Sequence, residues 1–183
     1  MNTTKFSKER KFTIAKLEMR PFSITDLLWL SVIIISAALV LFLRLQHSCK
    51  EIYLSLFVSG MLGAQTISSP LGIRFRNIYF SVIWLLCSII LAWGPMGITW
   101  FLLLTFILYH VVRIIFHKMH HKEFVPYHSG KGSMWRHKSI IEGRVSGLQD
   151  KKVSKWLLIS GLVLFMLCLG FMVHRPHYQA PCN

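Results

Sequence analysis

Apolar residues in this chain gather into five long runs separated by polar stretches, and that pattern predicts helices that cross a membrane. The runs lie at about residues 24–43, 52–69, 77–94, 97–116 and 154–173. Crossing a hydrocarbon core takes about 20 predominantly apolar residues of helix. The first run, ITDLLWLSVIIISAALVLFL, is preceded by Pro21 and by a Ser23-x-x-Asp26 pair placed as a capping box. The second, IYLSLFVSGMLGAQTISS, is the weakest, being short and polar in its second half. Only the turn-forming Gly94-Pro95-Met96-Gly97 separates the third from the fourth. The expected fold is therefore an all-α integral membrane protein, a bundle of five transmembrane helices. Its divisions are a basic cytoplasmic tail (1–22), a four-span bundle (23–116), a basic cytoplasmic loop (117–153), the fifth helix (154–173) and an external tail (174–183).

Charge orients this arrangement. The formal net charge is +14, from 21 Lys and Arg against 7 Asp and Glu. Of the 21 cations, 18 fall on the side of the N-terminus and only three, Arg44, Lys50 and Arg175, on the other. The excess of Lys and Arg in cytoplasmic loops places the N-terminus in the cytoplasm and the C-terminus outside. The first apolar run is longer than a signal-peptide core, and no A-x-A-like cleavage site follows it, which predicts a retained span. The expected location is a plasma membrane, of the bacterial inner-membrane kind.

Three further features bear on function. Ser55, Ser59 and Gly63 recur every four residues in the second run, a stripe of small side chains that lets helices approach closely. Gln65, Thr66, Ser68 and Ser69 follow it, with hydroxyls and an amide able to bond across helices. In the cytoplasmic loop, Met134, Ile141, Val145 and Leu148 share a helical face, with Arg136, Lys138, Arg144 and Lys151 largely off it. This predicts a short amphipathic helix at the inner surface, where Arg136, Lys138, Arg144, Lys151 and Lys152 meet anionic lipid or partner subunits. The loop is too small to build a catalytic domain with its own core, so it is expected to be a docking surface.

The third feature is YHVVRIIFHKMHHKEF, residues 109–124. Its HKMHH resembles the HxxHH boxes that hold iron in membrane hydroxylases, making His110, His117, His120 and His121 a candidate metal set. Those enzymes need several such boxes, and here Arg113, Lys118 and Lys122 surround the one, with Glu123 as the single local carboxylate. The competing reading is a basic helix end whose His, Lys and Arg meet the helix dipole and lipid phosphates. On the opposite side, Cys49 and Cys182 are a candidate disulfide in an oxidising compartment. His47 and His174 are a candidate haem pair there, and with His177 and the two cysteines they form a mixed ligand set of no zinc-site spacing. Cys87 and Cys168 lie within spans, where a thiol acts as a small hydrophobe.

The expected function is a non-catalytic subunit or scaffold of a multiprotein envelope complex of secretion, conjugation or respiratory type. Its partners would be anionic inner-leaflet lipids and other subunits, with no cofactor; nucleic acid is not expected. The alternative is a small membrane oxidoreductase using iron or haem at the histidine cluster.

Overall fold

The structure is a computed structural model, and it describes residues 17–46, 48, 50–93, 97–130, 133–139 and 143–173. Local chemistry starts the first helix as expected. Ser23 caps α1 (Ile24–Leu45): its hydroxyl accepts the Asp26 N–H, and the Asp26 carboxylate accepts the Ser23 N–H. The remaining helices are α2 (Lys50–Ser68), α3 (Ile78–Ala92), α4 (Trp100–His120) and α5 (Leu148–Val173). α4 is the hub, packing against α2, α3 and α5, while α1 lies against α2 and α3. α1, α4 with the 3-10 turn Gly97–Thr99 before it, and α5 are each long and apolar enough to cross a membrane. A fourth candidate arises if α2 and the helix after it count as one broken span; α3, at 15 residues, is shorter. The outer faces of α1 and α5 carry Leu28, Ile35, Phe42, Met166 and Phe171. Patches of that extent on a protein surface mark a membrane or partner contact.

α2 ends where Pro70 removes a backbone donor. Ser69 then caps a 3-10 helix, Pro70–Arg76, bent by 88° from α2. This segment, which joins the second and third apolar runs, turns back against the bundle, burying Leu71, Ile73 and Phe75. The Phe75 ring meets Trp84 at 5.4 Å and Phe106 at 5.0 Å in edge-to-face contacts. Gly72 makes the insertion sterically feasible: a Cβ there would lie 2.0 Å from the Tyr109 ring. Just beyond, Glu18 and Arg76 exchange a backbone hydrogen bond (2.8 Å) and an ion pair (2.5 Å), stitching residues 17–22 to the start of α3.

The loop between α4 and α5 departs further from expectation. The amphipathic helix does not form. Instead β1 (His128–Gly130) pairs antiparallel with β2 (Ser133–Trp135), and β3 (Lys138–Ser139) with β4 (Arg144–Val145). Gly143, with φ at 63°, sits in the left-handed region in the middle of the proposed helix. Ser129, Gly130 and Ser133 also favour turns over helix. Ile141, part of the proposed apolar face, lies outside the described residues. The flanking helices meanwhile run further than their apolar runs, α4 to His120 and α5 from Leu148.

The bundle has two unlike ends. One gathers the Ser23 end of α1, the 3-10 helix, the end of α4, the hairpins and the start of α5. At the other, Arg44 bonds Glu51 at 2.9 Å and the Ile90 carbonyl at 3.3 Å, tying α1, α2 and α3 together.

Candidate functional site

The hairpin end is a polar cap held by buried ion pairs. α4 stops at His121, which adopts a left-handed conformation (φ 51°) and turns the chain back over the helix end. Glu123 is thereby brought under Arg113, whose Nε donates to Oε2 at 3.1 Å; the two side chains are 3% and 2% exposed. His117 Nδ1 lies 3.5 Å from the other oxygen of Glu123, longer than a good hydrogen bond. Asp150, in the first turn of α5, is the second anchor. Its oxygens accept the backbone N–H groups of Val125 (3.0 Å) and Gly147 (2.8 Å) and both ends of the Arg144 guanidinium (2.6 and 3.0 Å). Arg144 also donates to the Glu123 carbonyl, joining the two pairs. Tyr127 N–H donates to Ser154 of α5, just before β1, and His137 N–H to Ser146 between β4 and α5, each at 3.0 Å, tying the hairpins to the start of α5.

Beside this network is a cavity of about 510 Å³ between the hairpins and the ends of α1 and α2. Arg20, Arg74, Lys138, His128 and His137 supply its basic wall, and Trp29, Leu71 and Ile73 its apolar one. Asp26, fully buried, pairs with Arg74 and lies 3.6 Å from Arg20. Thr25 Oγ1 accepts from Arg74 at 2.8 Å. Burial, and then the neighbouring charges of His128 and Arg74, lower the His137 pKa from its usual 6.5. At ordinary pH it is therefore a neutral member of this wall.

The histidines singled out in the sequence do not converge. His110 sits against Phe106 (4.6 Å) and Phe75 (5.9 Å), with Nε2 buried and lacking a hydrogen-bond partner among the described residues. His117 faces Glu123, His120 packs on Phe116 at 4.7 Å, and His121 is exposed at the turn. Among the described residues no three His, Cys, Asp or Glu side chains form a metal-binding group. His47, Cys49, His174, His177 and Cys182 lie outside the described residues, and with them the disulfide, the haem pair and the mixed ligand set. Cys87 and Cys168 are buried free thiols.

Ser55, Ser59 and Gly63 line the buried face of α2, with the Phe101 ring of α4 where a Gly63 side chain would be. The hydroxyls behave differently from expectation. Thr66, Ser68 and Ser69 bond the carbonyls four residues back in α2 rather than a neighbouring helix. Such back-bonding favours helix bending, and it immediately precedes the 88° turn.

Of the five surface cations, Arg136, Lys151 and Lys152 lie on the outside of the cap and Lys138 at the cavity. Arg144 differs from them in pairing with Asp150, a buried carboxylate that needs a charged partner. The structural roles of Glu123 and Asp150 were not read from the sequence. Their scarcity was the available signal, since a buried carboxylate in so basic a chain has many cations to recruit it.

No protein-family model matches this chain, and neither a curated protein nor a solved structure matches it.

Proposed function

We propose that the chain is a non-catalytic integral-membrane subunit that fixes an envelope complex to the membrane, docking anionic partners on its polar cap. The observation that carries this reading is a division among the cap's charges. Its described carboxylates, Glu18, Asp26, Glu123 and Asp150, are all engaged by arginines. Lys118, Lys122, Lys151, Lys152 and Lys155 form no ion pair among the described residues. A lysine face of this kind speeds encounter with an anionic partner and sets its orientation.

The accompanying topology is five crossings with the cap in the cytoplasm, at a plasma membrane. Two features support it. Ser68 and Ile78 end and begin their helices at the cap, while Arg44, Glu51 and Ile90 meet at the far end. The two most buried of the ion-paired arginines, Arg76 and Arg113, both belong to the cap, on the side that holds the excess of Lys and Arg by which the positive-inside rule marks a cytoplasmic end.

Native gel electrophoresis of mild-detergent extracts tests the docking role. The chain should migrate in an assembly well above its own 21.2 kDa. Replacing Lys118, Lys122, Lys151 and Lys152 with Glu should release it while leaving its melting temperature unchanged. Migration of the unaltered chain alone, or an assembly indifferent to the four substitutions, would refute the reading.

A further inference from the structure

The cavity between the hairpins and the ends of α1 and α2 has a chemistry of its own. Arg20 and Arg74 share one carboxylate, Asp26, so the pair retains a net positive charge toward the cavity. Lys138 adds an ammonium that forms no ion pair among the described residues. The hydroxyls around it are already committed in part: Ser23 to the α1 cap, Thr25 to Arg74, and Ser69 to the Gln65 carbonyl. Besides the Gln65 amide and the imidazoles of His128 and His137, the cavity's donors are the remaining guanidinium N–H groups and the ammonium, which alone carry a permanent charge. Planar guanidinium matches the oxygens of phosphate bidentately, and lysine supplies a point charge.

The remaining wall is apolar. Trp29 lies less than two turns into α1, and Leu71 and Ile73 lead from the cavity towards the bundle interior. Tryptophan is enriched where membrane meets water, with its ring at headgroup depth. The cavity lies where α1 starts and α2 stops, hence at that same depth for helices that cross. At about 510 Å³ it is in the size range of small-molecule sites. A cationic wall set against an apolar one fits a ligand with an anionic head joined to an apolar portion.

We propose that this cavity binds the phosphate group of an anionic amphiphile. The phosphate sits between Arg20, Arg74 and Lys138, and the apolar portion lies along Trp29, Leu71 and Ile73. The phosphate belongs either to a membrane lipid or to a soluble phosphate ester; the recognition chemistry is shared. The inference depends on the helices lying in a membrane and not on the subunit reading.

The test is calorimetric titration of the full chain, purified in an uncharged detergent, with three probes. These are dioctanoyl phosphatidylglycerol, dioctanoyl phosphatidylcholine and inorganic phosphate. The expected result is saturable binding of one phosphatidylglycerol, at least tenfold tighter than phosphatidylcholine. The variant His137→Ala/Lys138→Gln spares both ion pairs of Asp26 and the backbone bond from His137 to Ser146. It should weaken phosphatidylglycerol binding about fivefold, the effect of one cation near an anionic headgroup. Inorganic phosphate binding as tightly as the lipid would support the phosphate site and assign it to a soluble ester. Equal affinity for phosphatidylcholine, or binding unaltered in the variant, would overturn the proposal. Either result leaves the native-gel assembly test untouched, so the two readings fail separately.

Discussion

Removing the Glu123 carboxylate should destabilise the protein far more than removing an ion pair at the bundle's other end. Arg113 and Glu123 are 2% and 3% exposed, so neither charge has appreciable access to water. Deleting one partner of a buried pair costs about 3–5 kcal/mol, because the other charge is left buried and poorly compensated. For a chain of this size each kcal/mol moves the melting temperature by roughly 2–4 °C. Glu123→Ala should therefore lower it by roughly 6–20 °C. Arg44 and Glu51 are 22% and 13% exposed, and water can replace part of what each loses. Glu51→Ala should cost about 1 kcal/mol, near the upper end for exposed pairs. The decisive variant is Arg113→Met/Glu123→Leu, which removes both charges and keeps apolar volume. Replacing a buried pair in this way is often neutral, so the double variant should recover most of the loss. Thermal melting of the detergent-purified protein, followed by tryptophan fluorescence, measures all three. Equal losses in Glu123→Ala and Glu51→Ala, or a double variant no better than Glu123→Ala, would refute the assignment of this pair as a buried one.

Two further outcomes follow from the same cap. His137 has its pKa lowered in the fold, so the unfolded chain binds more protons between the folded pKa and 6.5. Its contribution is fully present above pH 6.5 and is lost as pH falls through that window; His137→Gln should flatten the acid limb of a stability-versus-pH curve, and an unchanged limb would count against it. Gly72→Ala drives a Cβ into the Tyr109 ring and should cost about 1–3 kcal/mol as overpacking. Because the two residues touch, the Gly72→Ala and Tyr109→Leu losses should combine to less than their sum in a chemical-denaturation cycle, and strict additivity would show that the ring is not what meets residue 72.

Local signals in the sequence carried over well, and long-range ones did not. Ser23 and Asp26 are three residues apart, and their capping box forms as written. What the spacing could not show is that Asp26 also holds Arg74, 48 residues away. In the 70–76 segment Leu71, Ile73 and Phe75 recur at alternate positions beside Arg74 and Arg76, and all three are buried. That burial depends on Gly72 receiving the Tyr109 ring, a contact between elements 37 residues apart that no local period reveals. In the loop, four apolar residues matched a helical face, but Gly143 and the serine and glycine residues around β1 and β2 outweigh that match. The histidine spacing alone does not fix a metal site: HxxHH describes positions along a single helix, whereas a metal needs ligands converging on one point, and here His110 packs against Phe75 and Phe106 while His117 faces Glu123.

The cap's described carboxylates are met by arginines and not by lysines, and the chemistry of the two side chains explains why. Guanidinium is weakly hydrated and presents a rigid fork of donors, so it can be buried against a carboxylate and still satisfy several hydrogen bonds. Arg144 does this with both oxygens of Asp150 while also reaching the Glu123 carbonyl. Ammonium is strongly hydrated and gains less from such a place, and Lys118, Lys122, Lys152 and Lys155 are all exposed. The two sets should then separate by experiment. Substituting an inward arginine changes stability first and whatever the face meets only as a consequence. Under the proposed docking role, substituting an outward lysine should leave the fold intact and change the encounter alone. Four of the chain's seven carboxylates, Glu18, Asp26, Glu123 and Asp150, thus build the cap, and the excess of cations over carboxylates is its net charge of +14.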